Sequence, residues 1–179
     1  MPPTATWAEA TSTALHLPQW ALSFYGRHVL AISALAIVPT IQRGVYVVAG
    51  QSLPDLVNAV LDLITFLCRM ALFALIIKFM YDEDRRLGAG GWRGAWSKIT
   101  AYAHDHWQVL VIHLVLFSVV FGLLNLVMNA AIGAFGGNQA GDSGNVAADL
   151  TTFTVRNALI IPFATVWLCG IVRQMIVSE

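Results

Sequence analysis

Asp62 and Arg69 stand seven residues apart inside one long apolar stretch, and no other residues of this chain are better placed to do chemistry. Two helical turns separate them, about 10.5 Å of rise, so they share a helix face but lie too far apart for a simple direct contact. A charge in hydrocarbon costs at least roughly 2.5–3.5 kcal/mol on insertion scales, so such residues look into protein or water rather than lipid. The pair suits a proton or ion relay, an anchor for an anionic headgroup, or a contact for another subunit's charge. It equally suits an internal polar contact that fixes helix packing. Asn125 and Asn129, four residues apart in a later apolar stretch, are polar groups at a depth to meet it, and Gly122 beside them permits close helix approach.

Histidine offers a second chemistry. His28 and His113 fall near the ends of two apolar stretches at broadly similar depth. A b-type haem needs two axial nitrogens at matching depth on facing helices, and this spacing permits one. His104-Asp105-His106 supplies groups that titrate near neutral pH, although an interfacial polar tip is the simpler role. No Cys/His spacing indicates zinc. Cys68 and Cys169 both sit among apolar residues and read as buried, inert thiols. No phosphate loop, zinc-protease, serine-hydrolase or paired-acid motif occurs, so the reading is of a non-enzymatic chain with no resident cofactor or metal.

The elements that hold these residues are set by composition. Hydrophobic residues make up 58% of the 179 residues and charged ones 11%, against about 25% charged in soluble domains. The apolar residues fall in four blocks, at about 22–48, 56–81, 107–135 and 153–177. Each is long enough to cross a hydrocarbon core of about 30 Å as a helix. The expected fold is therefore all-α: an integral membrane four-helix protein of two antiparallel hairpins, in one domain over 1–179. Pro39 and Pro162 predict kinks or loosened turns, which neighbouring helices tolerate in a membrane. Gly50 to Asp55 predicts a tight turn, and the Gly/Asn/Asp-rich stretch from Gly136 to Asn145 an exposed flexible loop.

Trp92, Ala95, Trp96, Ile99 and Ala103 recur with helical spacing, with Arg93, Ser97, Lys98 and Thr100 between them. This predicts an amphipathic interfacial helix over 91–106, with Trp92, Trp96 and then Trp107 as depth anchors. A shorter lead-in from Leu15 to Tyr25 is expected before the first crossing. Asp82-Glu83-Asp84-Arg85-Arg86 reads as a solvated charge run.

Basic residues set the orientation. Lys78, Arg85, Arg86, Arg93, Lys98, Arg27 and Arg173 fall on one side of a four-crossing layout, and only Arg43 and Arg156 on the other. The first side is therefore expected to be cytoplasmic, with both termini and the central loop there, in a plasma (inner) membrane. No Lys or Arg precedes Arg27, so a cleavable signal peptide is not expected. Formal net charge is zero, which leaves no field to recruit nucleic acid.

Phe24-Tyr25-Gly26-Arg27-His28, opening an apolar span, and Leu87-Gly88-Ala89-Gly90-Gly91-Trp92-Arg93-Gly94-Ala95-Trp96, leading into another, resemble the small polytopic family around the membrane domain of glycerophosphoryl diester phosphodiesterases. That membrane domain is not the catalytic part of those enzymes. The resemblance implies an architecture and transfers no active site.

Three functions remain open on the sequence. The first is an accessory subunit that docks onto and stabilises a larger membrane assembly, its partners being lipid and other integral subunits or further copies of itself. The second is a small carrier or lipid-handling protein using Asp62 and Arg69. The third is a haem-binding electron-transfer subunit using His28 and His113.

Overall fold

The computed structural model describes residues 7–49, 53–88, 90–136 and 150–177. Residues 50–52 of the expected turn and most of the expected loop, 137–145, lie outside these residues. Helix α1 spans Trp7–Ala49, α2 Asp55–Glu83, α3 Gly91–Asp105, α4 Trp107–Gly136 and α5 Leu150–Val177. A 3-10 turn, Arg85–Gly88, follows α2. No strand occurs among the described residues, so the chain is all-α as expected.

Four of the helices, α1, α2, α4 and α5, are long and apolar enough to cross a membrane. That fits a membrane-embedded protein, because a helix is the one open structure that satisfies its own backbone in hydrocarbon. Helix α1 differs from the sequence expectation in form. The stretch from Leu15 to Tyr25 is no separate lead-in but part of a single 43-residue helix. At 1.5 Å per residue α1 is about 65 Å long, twice what a perpendicular crossing needs.

Local chemistry explains the helix ends. Pro54 cannot donate, but its carbonyl accepts from Val57 N and Asn58 N and so starts α2. Asp55 adds a negative charge at the positive end of the helix dipole. Between the 3-10 turn and α3, Gly90 and Gly91 take φ of 88° and 61°, a region where other residues are strained. His106 then ends α3, its N–H donating to Tyr102 O, and its carbonyl accepts the first bonds of α4 from Val109 and Leu110. One residue thus joins the two helices.

Helix α5 carries a π-turn at Arg156–Ile160, directly before Pro162. The N–H of Ile161 reaches back to Arg156 O across this turn. Pro162 lacks the donor that the regular α ladder would require, and the wider turn absorbs the mismatch without ending the helix. The buried Asn157 side chain donates to Phe153 O at 2.8 Å within the same segment.

The chain divides into two compact units. The first comprises residues 1–28, 74–120 and 163–179. Its core is Trp167, Phe24, Ile76, Val109 and Val166, with Ala10 and Ala14 packing on Val109. Gly170 lets α5 approach α1: a Cβ there would stand 2.5 Å from the Trp20 ring and 2.8 Å from Leu17. The second unit comprises residues 29–73 and 121–162, with Ile32, Ala36, Leu72, Phe121 and Met128 buried.

Candidate functional site

Asp62 finds its partners on α1. Gln42 Nε2 donates to Asp62 Oδ1 at 2.7 Å, and Thr65 Oγ1 donates to Gln42 Oε1 at 2.6 Å. The Tyr46 hydroxyl lies 3.3 Å from both Asp62 Oδ1 and Asn58 O, close enough to donate to one or the other. Gln42 is 5% exposed and Thr65 7% exposed, so this string of side chains is fixed from within. A buried amide requires such partners, since each unsatisfied polar group costs about 1–3 kcal/mol. The carboxylate at the end of the string is exposed, and its donors among the described residues, Gln42 and Tyr46, are neutral.

Arg69 has no such provision. It is exposed, and among the described residues it makes no hydrogen bond or ion pair. Neither Asn125 nor Asn129 serves as the expected partner of the Asp62/Arg69 face. Asn125 Nδ2 turns back to Phe121 O on its own helix at 2.7 Å, and Asn129 is exposed. Gly122 is exposed too, with nothing within 4 Å of where its Cβ would be. Among the described residues, Gly122 and Asn129 on α4 are thus open and Asn125 is half-buried.

A second cluster belongs to the first unit. Arg27 makes a two-pronged bond to Glu83, Nε to Oε1 at 3.0 Å and a terminal nitrogen to Oε2 at 2.9 Å. His28 Nε2 meets Glu83 Oε1 at 3.0 Å while its ring stacks on Phe79, 4.2 Å between centroids. Asp84 accepts from Arg86 and from Arg173, both at 2.8 Å, and the Arg173 guanidinium lies over the Trp20 ring. The Asp84 side chain is only 10% exposed. Its pKa is held at about 2, below the ordinary 3.8, chiefly by the Arg86 side-chain hydrogen bond. The Arg86 N–H and the charges of Arg86 and Arg173 add to this, against the opposing effect of desolvation. Asp84 thus corrects the expectation of a solvated charge run over 82–86: it ties the end of α2 to α5.

His28 Nε2 is engaged by Glu83, and His113 Nε2 by Gln174 Oε1 at 2.9 Å. His113 is 1% exposed, and its buried Nδ1 has no hydrogen-bond partner among the described residues. Among the described residues no group of His, Cys, Asp and Glu could hold a metal ion. Cys68 and Cys169 are free thiols; Cys169 is buried, Cys68 only partly so.

On α3, Ala95 and Tyr102 are buried whereas Trp92 and Trp96 are 78% and 57% exposed. The two tryptophans stack on each other at 6.2 Å. Trp107, also exposed, packs edge-on against Trp7.

Sequence reasoning singled out Asp62 and Arg69 but missed Gln42, Tyr46 and Thr65. A lone Gln within an apolar block and a Thr three residues after Asp62 were visible signals. Which helix each would face was not. Compared with protein-family profiles, with characterised proteins and with solved structures, the chain matches none of them.

Proposed function

We propose that the chain is a non-enzymatic accessory subunit of a larger membrane assembly, docked through α2 and the open face of α4. The observation that carries this reading is Arg69, exposed midway along an apolar helix and without a counter-charge among the described residues. A guanidinium stays protonated at any physiological pH, so it cannot escape the cost of hydrocarbon by neutralising. Leaving it in lipid costs at least roughly 2.5–3.5 kcal/mol, and a partner helix that brings polar groups removes that cost. Exposed Gly122 and Asn129 and half-buried Asn125 offer a second contact surface of the small and polar kind that joins helices in membranes.

Under this reading α1 with α2, and α4 with α5, are antiparallel hairpins in a plasma (inner) membrane. The basic residues on the Arg86 side hold that side in the cytoplasm. Helix α3 lies along the cytoplasmic interface, its exposed tryptophans at headgroup depth. The likeness to the glycerophosphodiesterase membrane domain belongs to this reading as one of layout alone.

The test is purification from the source membrane in mild detergent, with mass spectrometry of whatever accompanies the chain. Arg69→Leu is expected to lose a stoichiometric membrane partner while keeping its helical content, and Arg69→Lys to keep most of it. Equal recovery of partner with Arg69→Leu would refute the docking role. A partner-free homo-oligomer whose Asp62→Asn variant assembles but fails to transport would favour the carrier reading instead.

A further inference from the structure

Arg69 is the middle residue of the 29-residue α2, about 21 Å from either end. At that depth no lipid headgroup meets it, since long basic side chains snorkel to the interface only from near helix ends. Its neighbours on α2 form a seam. Ala59, Asp62, Phe66, Arg69 and Phe73 follow one another at alternating spacings of three and four residues, and all are exposed. All five belong to the second unit. A period of this kind is the one with which a single further helix packs lengthwise, at a crossing angle of about 20°.

A second copy of this chain matches the seam poorly. In the four apolar helices Glu9, Asp55, Asp82 and Glu83 lie in end turns, and Asp62 is the one acidic residue between the ends. Helices α4 and α5 carry none. Copies related by an axis along the bilayer normal hold equivalent residues at one depth. Arg69 then meets Arg69 and Asp62 meets Asp62, so like charges oppose. The Asp62 of a neighbouring copy stays about 10.5 Å away along the helix. Copies inserted in opposite directions would cross-match the pair, but seven basic residues on one side against two on the other favour a single direction.

We propose, on the basis of the docking role of α2, that the seam receives one membrane-crossing helix of a different polypeptide, carrying an Asp or Glu opposite Arg69. The guanidinium and that carboxylate neutralise each other at the bilayer centre, where two parallel hydrogen bonds can join them. Asp62, two turns along, repels a second carboxylate and so sets the register of the partner helix. Phe66 and Phe73 flank the ion pair with apolar area and keep water from it.

The experiment uses the full chain in its source membrane. Phe66 and Phe73 are each replaced by the photo-cross-linking residue p-benzoylphenylalanine, and the adducts are mapped by mass spectrometry. Both positions are expected to capture one apolar helix of a different chain, with an Asp or Glu within one turn of the attached residue. Arg69→Glu is expected to lower recovery of that partner about tenfold, the scale of one polar contact between membrane helices. Replacing the partner's acidic residue with Arg is expected to restore recovery by the Arg69→Glu chain. A captured helix without an acidic residue at that level, an adduct with a second copy of this chain, or no rescue in a chain that still inserts would overturn the assignment while leaving docking in place. Capture of lipid alone would overturn it too, and the recovery by Arg69→Leu then tells whether docking itself stands. The cross-links in chains that retain Arg69 decide the matter even where Arg69→Glu fails to insert.

Discussion

Asp84 accepts from two arginines of different elements, and its acidity depends on both. Its native pKa of about 2 lies below the ordinary 3.8. A carboxylate shifted down in this way adds stability that is complete above its unfolded pKa and is lost as pH falls through the native one. The expected outcome is a detergent-purified protein whose melting temperature falls between about pH 4 and pH 2. Asp84→Asn should melt lower than wild type at pH 7 and depend less on pH below 4; superimposable curves would contradict the assignment. At this scale the sequence was only partly legible. Asp62 and Arg69 announced themselves by lying among apolar residues. Glu83 and Asp84 did not, because a run of charges beside a glycine-rich turn looks solvated until Arg27, His28 and Arg173 are brought to it from elsewhere.

Helices α1 and α5 meet at Gly170, where the absence of a side chain leaves room for the Trp20 ring. Trp20 in turn lies under the Arg173 guanidinium that reaches Asp84. Gly170→Val is therefore expected to displace the ring and loosen the ion pair together, at about 1–3 kcal/mol, the usual cost of overpacking. Reversible denaturation in mixed micelles measures it, and stability equal to wild type would show that α1 has room to shift. The four apolar helices and α3 were legible because length and period are written in one dimension. The extension of α1 back to Trp7 was not, since polar Thr11, Ser12 and Thr13 and the ring of Pro18 interrupt any apolar run. Inside α5, Pro162 predicted a loosened turn, and the π-turn before it is the form that this takes.

The whole molecule presents more apolar surface than a soluble chain tolerates, with Leu30, Leu56, Phe66, Leu114 and Leu126 among its exposed residues. In a bilayer that surface is at home, and the polar exceptions on it become informative. One of them bears on the life of the protein as well as on its contacts. If the chain is the subunit proposed above, α2 enters the bilayer during synthesis with Arg69 unmatched, and a copy without its assembly would carry a standing defect that membrane quality control can read. Chains made in excess of their partner should be degraded faster than assembled ones, and Arg69→Leu should lengthen the half-life of such orphans even as it weakens docking. Pulse-chase labelling with and without overexpression would measure both rates. The same guanidinium would then set the dosage of the subunit.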